Sequence, residues 1–113
     1  MKRFKDIEVE LYFLLPEEGG RTTPITKNTI YRPQFYYNKR DWVADHQYPD
    51  IDKKVYPGDT VKAFLTFMSP HEHINKVFEG MEFLIREGKR TVARGKIVKI
   101  LELELSAKYY SDK

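Results

Sequence analysis

The chain contains no cysteine, so it has neither a disulfide framework nor thiolate ligands for a metal. It also lacks a long hydrophobic run. Its longest apolar stretches, residues 12–15 and 97–101, fall far short of the roughly 20 residues that a membrane-spanning helix needs. The basic residues 1–3 are followed by alternating glutamates and not by the apolar region of a signal peptide. We therefore expect a cytoplasmic protein with no membrane partner.

The remaining composition is typical of one folded domain. The 113 residues are 41% hydrophobic and 33% charged, which is too apolar for a disordered chain and too polar for a membrane protein. We assign residues 1–113 to a single domain, with a core at 4–101 and a polar C-terminal extension at 102–113. The net charge of +3 is small, so only the distribution of the basic side chains carries information about partners.

Apolar and polar residues alternate in three segments, 7–15, 61–67 and 81–86, and this is the period of a strand with one buried face. Gly95 is predicted to mark a β-bulge in the strand that follows the third segment. Residues 101–105 suit either an extended strand or a helix. Five or six short strands with turns at this spacing predict an all-β fold, either a closed antiparallel barrel or a small sandwich.

Signals of catalysis are weak. Residues 38–41 read NKRD and fit the NKxD pattern with which GTPases bind guanine. A GTPase also needs a G-x-x-x-x-G-K-[ST] loop, whose backbone amides surround the phosphates, and the sequence has none. His71 and His73, with His46 as the only other histidine, do not have the spacing of a zinc site. We therefore expect no enzymatic activity, no metal and no cofactor.

Four short motifs, taken in order along the chain, carry a family resemblance. They are GGRTTP at 19–24, YRPQFYY at 31–37, YPGD at 56–59 and REGKRTV at 86–92. Together they resemble the third, C-terminal barrel domain of elongation factor Tu, over about residues 4–101. The resemblance implies a closed six-stranded antiparallel β-barrel, here as a free-standing domain without the GTPase domain or the other barrel.

The resemblance also implies site residues. In that family the third domain helps to hold the T-stem of aminoacyl-tRNA, packs against the GTPase domain and contributes to contacts with the nucleotide-exchange factor. Its tRNA-contacting glutamine in the R-P-Q motif falls on Gln34, and its contacting glutamate in the R-E-G motif falls on Glu87. A third contact, a threonine, falls near Val43, which has no hydroxyl group. Lys89 and Arg94 replace smaller residues of the family pattern.

Two functions therefore stay open, besides a divergent structural domain recruited to an unrelated role. The first is a non-catalytic, translation-associated module that binds tRNA or another structured RNA. Its phosphates would be neutralised by a basic face made of Arg32, Lys39, Arg40, Lys89, Arg90 and Arg94. The alternative is a protein-interaction module that docks onto a translational GTPase or its exchange factor and has lost RNA binding. Under a purely structural interpretation of the YRPQFYY motif at 31–37, Phe35 and Tyr37 face the core and Arg32 pairs with a carboxylate.

Overall fold

The computed structural model describes residues 3–26, 31–49 and 54–111. The predicted all-β fold is confirmed, because these residues form six strands and a single α-helix that follows them. The strands are β1 (Ile7–Phe13), β2 (Gln34–Tyr37), β3 (Arg40–Gln47), β4 (Thr60–Phe67), β5 (Glu82–Glu87) and β6 (Arg90–Ile100), and the helix is α1 (Leu103–Ser111).

The six strands close into one antiparallel barrel, as the family resemblance implied. The neighbour order around the barrel is β1-β4-β3-β2-β5-β6. Strand β1 pairs with β4 on one side and β6 on the other, and β2 lies between β3 and β5. Closure leaves these strands without an unpaired edge. The outer faces of the strands and the turns between them are therefore the surfaces open to a partner.

The interior is filled by the apolar residues of the alternating segments. Phe35 is fully buried. Its ring stacks on that of Phe83 with 4.2 Å between centroids and meets the ring of Phe67 edge-on at 5.0 Å. Tyr37 is buried on the same face of β2, so the predicted inward orientation of this pair is confirmed. Further fully buried core residues are Ile7, Val9, Leu11, Ala63, Leu65, Ile85 and Val92.

Two strands are shorter than the sequence segments that contain them, 7–15 and the motif at 31–37. β1 stops at Phe13, because a turn of 3-10 helix begins at Pro16 and Gly19 then takes a φ of 95°. Residues 31–33 precede β2 instead of belonging to it. Pro33 has no N–H to donate to a neighbouring strand, which explains why regular pairing begins only at the next residue.

The bulge predicted at Gly95 is wrong. Gly95 pairs in register with Leu11 on one side and Phe83 on the other. The pairing register of β6 shifts at two other places, opposite residues 8 and 9 of β1 and opposite residues 85 and 86 of β5. The glycine is needed for space. A Cβ atom at this position would lie 2.2 Å from Cζ of Phe83 and 2.9 Å from Cδ2 of Leu11.

Two hairpin turns lie at opposite ends of the barrel. Asn38 and Lys39 connect β2 to β3, both with positive φ (49° and 62°), as a type I′ turn requires. Gly88 and Lys89 connect β5 to β6, with a φ of 62° at Gly88. Strands β2 and β5 run antiparallel, and Gln34 at the start of β2 pairs with Arg86 near the end of β5. The turn at 88–89 therefore lies beside the start of β2, and the turn at 38–39 lies at the other end of that strand.

The segment that sequence alone left open, residues 101–105, leads into helix α1. Leu103, Ser106 and Ala107 form its buried face, which packs against the 3-10 turn at Pro70–His73. Within the described parts of the chain, no helix combines the length and the apolar character needed to cross a membrane.

Candidate functional site

The two residues that the family resemblance identified, Gln34 and Glu87, line one cleft of about 350 Å³. The pairing of β2 with β5 brings them together, because Gln34 lies opposite Arg86 and Glu87 is the next residue. The remaining lining residues are Tyr31, Arg32, Pro33, Arg86 and Gly88. Residues from two of the four motifs, more than 50 positions apart in sequence, thus meet at one end of the barrel.

Glu87 is held by two donors from other motifs. Its Oε2 atom accepts a hydrogen bond from the Tyr31 hydroxyl (2.5 Å) and another from Nη1 of Arg21. Burial, and then the nearby Glu87 carboxylate, raise the pKa of Tyr31 far above its ordinary value, so the phenol stays a donor at neutral pH. Arg21 also donates from Nε to the carbonyl oxygen of Thr23 (3.2 Å). These contacts fix the carboxylate, and sequence reasoning missed the role of Arg21 and Tyr31.

The other family-marked residue, Gln34, lines the cleft with a side-chain amide. Its Oε1 atom is buried and has no hydrogen-bond partner in residues 3–26, 31–49 and 54–111. The opposite residue Arg86 directs its guanidinium elsewhere: Nη1 lies 3.6 Å from Oδ2 of Asp41, and the group covers the ring of Tyr36 at 4.5 Å. A buried acceptor without a partner is uncommon in folded proteins. Because this atom is buried while the residue is half-buried, Gln34 must turn its amide outward before it accepts a donor from a bound molecule.

Arg32 is engaged within the protein. Its Nε donates to Oδ1 of Asp45, and Nη2 of Arg3 lies 3.7 Å from the other carboxylate oxygen. This is the carboxylate pairing that the structural interpretation of the motif predicted. Asp45 itself is buried, so removing Arg32 would weaken the compensation of a buried charge.

The other predicted cations do not form one surface. Lys89 and Arg90 are exposed beside the cleft, on the hairpin that follows Glu87. Lys39 and Arg40 are at the far end of the barrel, where Arg40 covers the ring of Trp42 at 4.4 Å. Arg94 lies on the outer face of β6, 5.1 Å from the Tyr12 ring. The structure therefore brings Lys89 and Arg90 to the Gln34–Glu87 cleft and leaves Lys39, Arg40 and Arg94 away from it, because antiparallel pairing of β2 and β5 separates the two hairpins.

An uncharged aromatic layer lies behind the cleft. His46 is buried, meets the ring of Tyr31 edge-on at 5.2 Å and shares a hydrogen bond between Nδ1 and the Tyr48 hydroxyl at 2.9 Å. Burial lowers the pKa of His46 to about 3, so its imidazole is neutral at physiological pH. The His46 ring therefore adds no charge to the cleft. The charged residues that line the cleft are Arg32, Arg86 and Glu87, and Lys89 and Arg90 are exposed on the adjacent hairpin.

His73, half of the histidine pair weighed for a metal site, is a core residue. It is fully buried, stacks on Phe67 at 3.9 Å between centroids, and Nδ1 lies 2.7 Å from the Tyr37 hydroxyl. In the part of the chain that the structure describes, no three His, Cys, Asp or Glu side chains are placed to hold a metal ion.

A second, larger cleft of about 410 Å³ lies on the outer face where β5 meets the preceding loop. Tyr36, Phe78 and Leu84 supply apolar surface, and Lys76 and Arg94 supply positive charge. Phe78 is 60% exposed, which is unusual for a phenylalanine in a folded domain. This cleft thus combines an exposed aromatic ring with two cations and the carboxylate of Glu82.

Comparison with known protein families gives one finding. The model of the family described as "Elongation factor Tu C-terminal domain" matches residues 1–101, which include all six strands and both sides of the Gln34–Glu87 cleft. Helix α1 lies beyond the matched residues. The chain therefore belongs to the elongation factor Tu C-terminal domain family, a family of translation-related modules.

Proposed function

We propose that the protein binds structured RNA, such as tRNA, through the Gln34–Glu87 cleft and the adjoining cations Lys89 and Arg90. One observation carries this proposal: the two side chains that the family resemblance marks as RNA contacts line the same cleft although they come from different strands. Neither is occupied fully by the protein, since Gln34 Oε1 lacks a partner among the described residues and the hydrogen bonds to Glu87 from described residues reach Oε2.

The chemistry of the cleft favours ribose over a bare phosphate. A carboxylate accepts hydrogen bonds and repels phosphate, so the natural partner for the Glu87 side chain is a hydroxyl donor such as the ribose 2′-OH. The Gln34 amide can both donate and accept. Lys89 and Arg90, exposed on the adjacent turn, can neutralise the flanking phosphates. Duplex RNA should therefore bind better than duplex DNA of the same sequence.

The first prediction concerns the salt dependence of RNA binding. The double variant Lys89→Ala/Arg90→Ala should weaken tRNA binding and reduce the slope of log K against log salt by roughly 1.4–1.8, because each of the two phosphates no longer neutralised contributes about 0.7–0.9 to that slope. The matched control is Lys39→Ala/Arg40→Ala, which removes equal charge at the opposite end. Fluorescence anisotropy with labelled tRNA at several salt concentrations measures both.

Equal losses in the two double variants would show that binding follows net charge and not the cleft. Glu87→Ala gives a second readout, since it removes a negative charge and still should reduce the preference for RNA over DNA duplexes. An unchanged RNA-to-DNA ratio in Glu87→Ala, or no tRNA binding by the unsubstituted protein at low salt, would contradict the proposal.

A second candidate function is docking onto a translational GTPase or its exchange factor, and the 410 Å³ cleft favours it. An exposed phenylalanine beside Leu84 and Tyr36, flanked by Arg94, resembles the aromatic anchors of protein interfaces. Phe78→Ala should raise the Kd for such a partner at least about tenfold in calorimetry with the purified factor. Val98→Ala, at another exposed apolar residue, is the control. Equal affinities of the two variants would exclude this cleft as the docking site.

A further inference from the structure

Helix α1 carries a serine where its apolar stripe should continue. The helix has nine residues, too few to be stable alone, so its position depends on contacts with the barrel. Ser106 lies between Leu103 and Ala107 on the buried face and is fully buried. Its Oγ atom makes no hydrogen bond of normal geometry within the described structure. A buried hydroxyl without a partner costs free energy, so a local reason for Ser106 is expected.

The group that faces Ser106 is the carboxyl of Asp6, just before β1. Asp6 is fully buried, and its Oδ2 accepts a hydrogen bond from the backbone N–H of Phe67 at 2.8 Å. The other oxygen, Oδ1, has no partner of normal geometry in the described residues. Burial raises the pKa of Asp6 to about 7, although the Phe67 N–H and the Ser106 hydroxyl act in the opposite direction.

Asp6 also lies where the start of α1 is attached to the barrel. The N–H of Leu101 donates to the Asp6 carbonyl oxygen at 2.9 Å. Glu102 donates its N–H to the carbonyl oxygen of Lys5 at 3.0 Å, and its Oε1 accepts from the N–H of Lys5 at 2.8 Å. Strand β1, the end of β4, the end of β6 and the helix thus meet around one buried carboxyl. A change in the charge of the Asp6 carboxyl therefore acts where these four elements contact one another.

We propose that the Asp6 carboxyl, covered by the buried face of α1, is a proton-controlled latch that keeps α1 docked when Asp6 is protonated and releases it when Asp6 ionises. In the neutral form Oδ2 accepts from the Phe67 N–H, and the site that α1 covers holds no buried charge. When the proton is lost to solvent, a carboxylate remains in a site without a counter-charge, and detachment of the short helix is the smallest rearrangement that lets water reach it.

The other ionisable groups around this junction do not reproduce such a switch. Glu102, just before α1, raises the pKa of Asp6 through its negative charge and so strengthens the effect. His73, in the turn that packs on α1, has its pKa lowered to about 4 by burial, so it is neutral above pH 5. Lys5 places its Nζ over the Phe64 ring at 4.5 Å. Strand β4 contributes the N–H of Phe67 and the hydroxyl of Thr66, which donates to the carbonyl oxygen of Phe4. At the end of β6, the N–H of Ile100 donates to the carboxylate of Glu79 at 3.3 Å.

Hydrogen–deuterium exchange of the intact chain tests the latch. After correction for intrinsic exchange, the rate for peptides covering residues 103–111 should rise on the order of 50-fold from pH 5 to pH 7 and level off above about pH 8, because opening is coupled to loss of one proton. In Asp6→Asn, whose amide mimics the protonated acid, the same peptides should stay protected at every pH. Glu102→Gln is the control for the neighbouring carboxylate and should keep the pH dependence.

Parallel pH profiles in Asp6→Asn and the unsubstituted protein, or no pH dependence in the latter, would overturn the proposal. Protection of the peptides from β4 to β6 shows whether Asp6→Asn has folded. If it has not, the ¹³C signal of the Asp6 carboxyl in the unsubstituted protein decides the matter. A titration midpoint near 7 together with loosening of α1 supports the latch, and a midpoint near the ordinary value for aspartate contradicts it.

Discussion

Phe35→Ala should lower the free energy of unfolding by about 3–5 kcal/mol. The side chain is fully buried, stacked on Phe83 and packed edge-on against Tyr37 and Phe67. Truncation removes these contacts and leaves a cavity, which a closed barrel cannot collapse easily because each strand is paired on both sides. Urea unfolding, monitored by circular dichroism at neutral pH, measures the change.

The adjacent residue provides the matched control. Tyr36 is half-buried on the outer face of β2, where its ring carries the guanidinium of Arg86 at 4.5 Å. Tyr36→Ala removes an aromatic of similar size without opening the core, so we expect a loss of roughly 1 kcal/mol, the value of a partly exposed cation–π contact. Equal losses at the two neighbouring positions would contradict the inward and outward assignment of β2.

The second large effect is loss of stability in acid. Burial lowers the pKa of His46 to about 3 and that of His73 to about 4, from an ordinary 6.5. The unfolded chain therefore binds up to two more protons than the folded protein between about pH 6 and pH 4, and stability falls as the pH falls. Asp6 acts in the opposite sense, because its pKa is raised from 3.8 to about 7 and the folded form binds one proton more in this window.

The balance of these groups fixes the slope. The unfolded state binds about two extra protons at the histidines, and the folded state binds one extra proton at Asp6. The net difference of about one proton lowers the free energy of unfolding by about 1.4 kcal/mol for each pH unit of acidification. Asp6→Asn removes the opposing group, so its slope should approach about 2.7 kcal/mol per pH unit. Urea unfolding from pH 6 to pH 4.5 measures both slopes. A stability that rises on acidification, or equal slopes for the two proteins, would show that this assignment is wrong.

Period-two alternation predicted the buried faces well. It predicted one buried face in each of the segments 61–67 and 81–86, where Leu65 and Phe83 are buried. Phe35 is buried as the structural interpretation of its motif required. The alternation overestimated β1 by two residues, because the turn that begins at Pro16 ends the strand. Gly95 was misassigned since a glycine within a strand can mark either a bulge or a place of close packing. Close packing is the correct alternative, because the Phe83 ring lies against Gly95. Phe83 is twelve residues away in sequence and lies on the neighbouring strand, so the local sequence does not reveal the contact.

The candidate site was predictable only in part. Gln34 and Glu87 were found through the motifs that contain them, and the cleft then joined them. The hydrogen bonds from Arg21 and Tyr31 to Glu87 had no sequence signal beyond the presence of both residues in recognised motifs. A count of cations along the chain also could not show that Lys39 and Lys89 lie at opposite ends.

By itself, the sequence of this protein determined the strand faces, the turns and the family, because each depends on residues close together in the chain or on motifs in a fixed order. Only the tertiary structure decided which turns share an end of the barrel, which cations lie beside Gln34 and Glu87, and that Ser106 lies on the buried face of α1. These features depend on pairing between distant strands. A local pattern of side chains specifies which way a strand faces and leaves open which strand will be its neighbour.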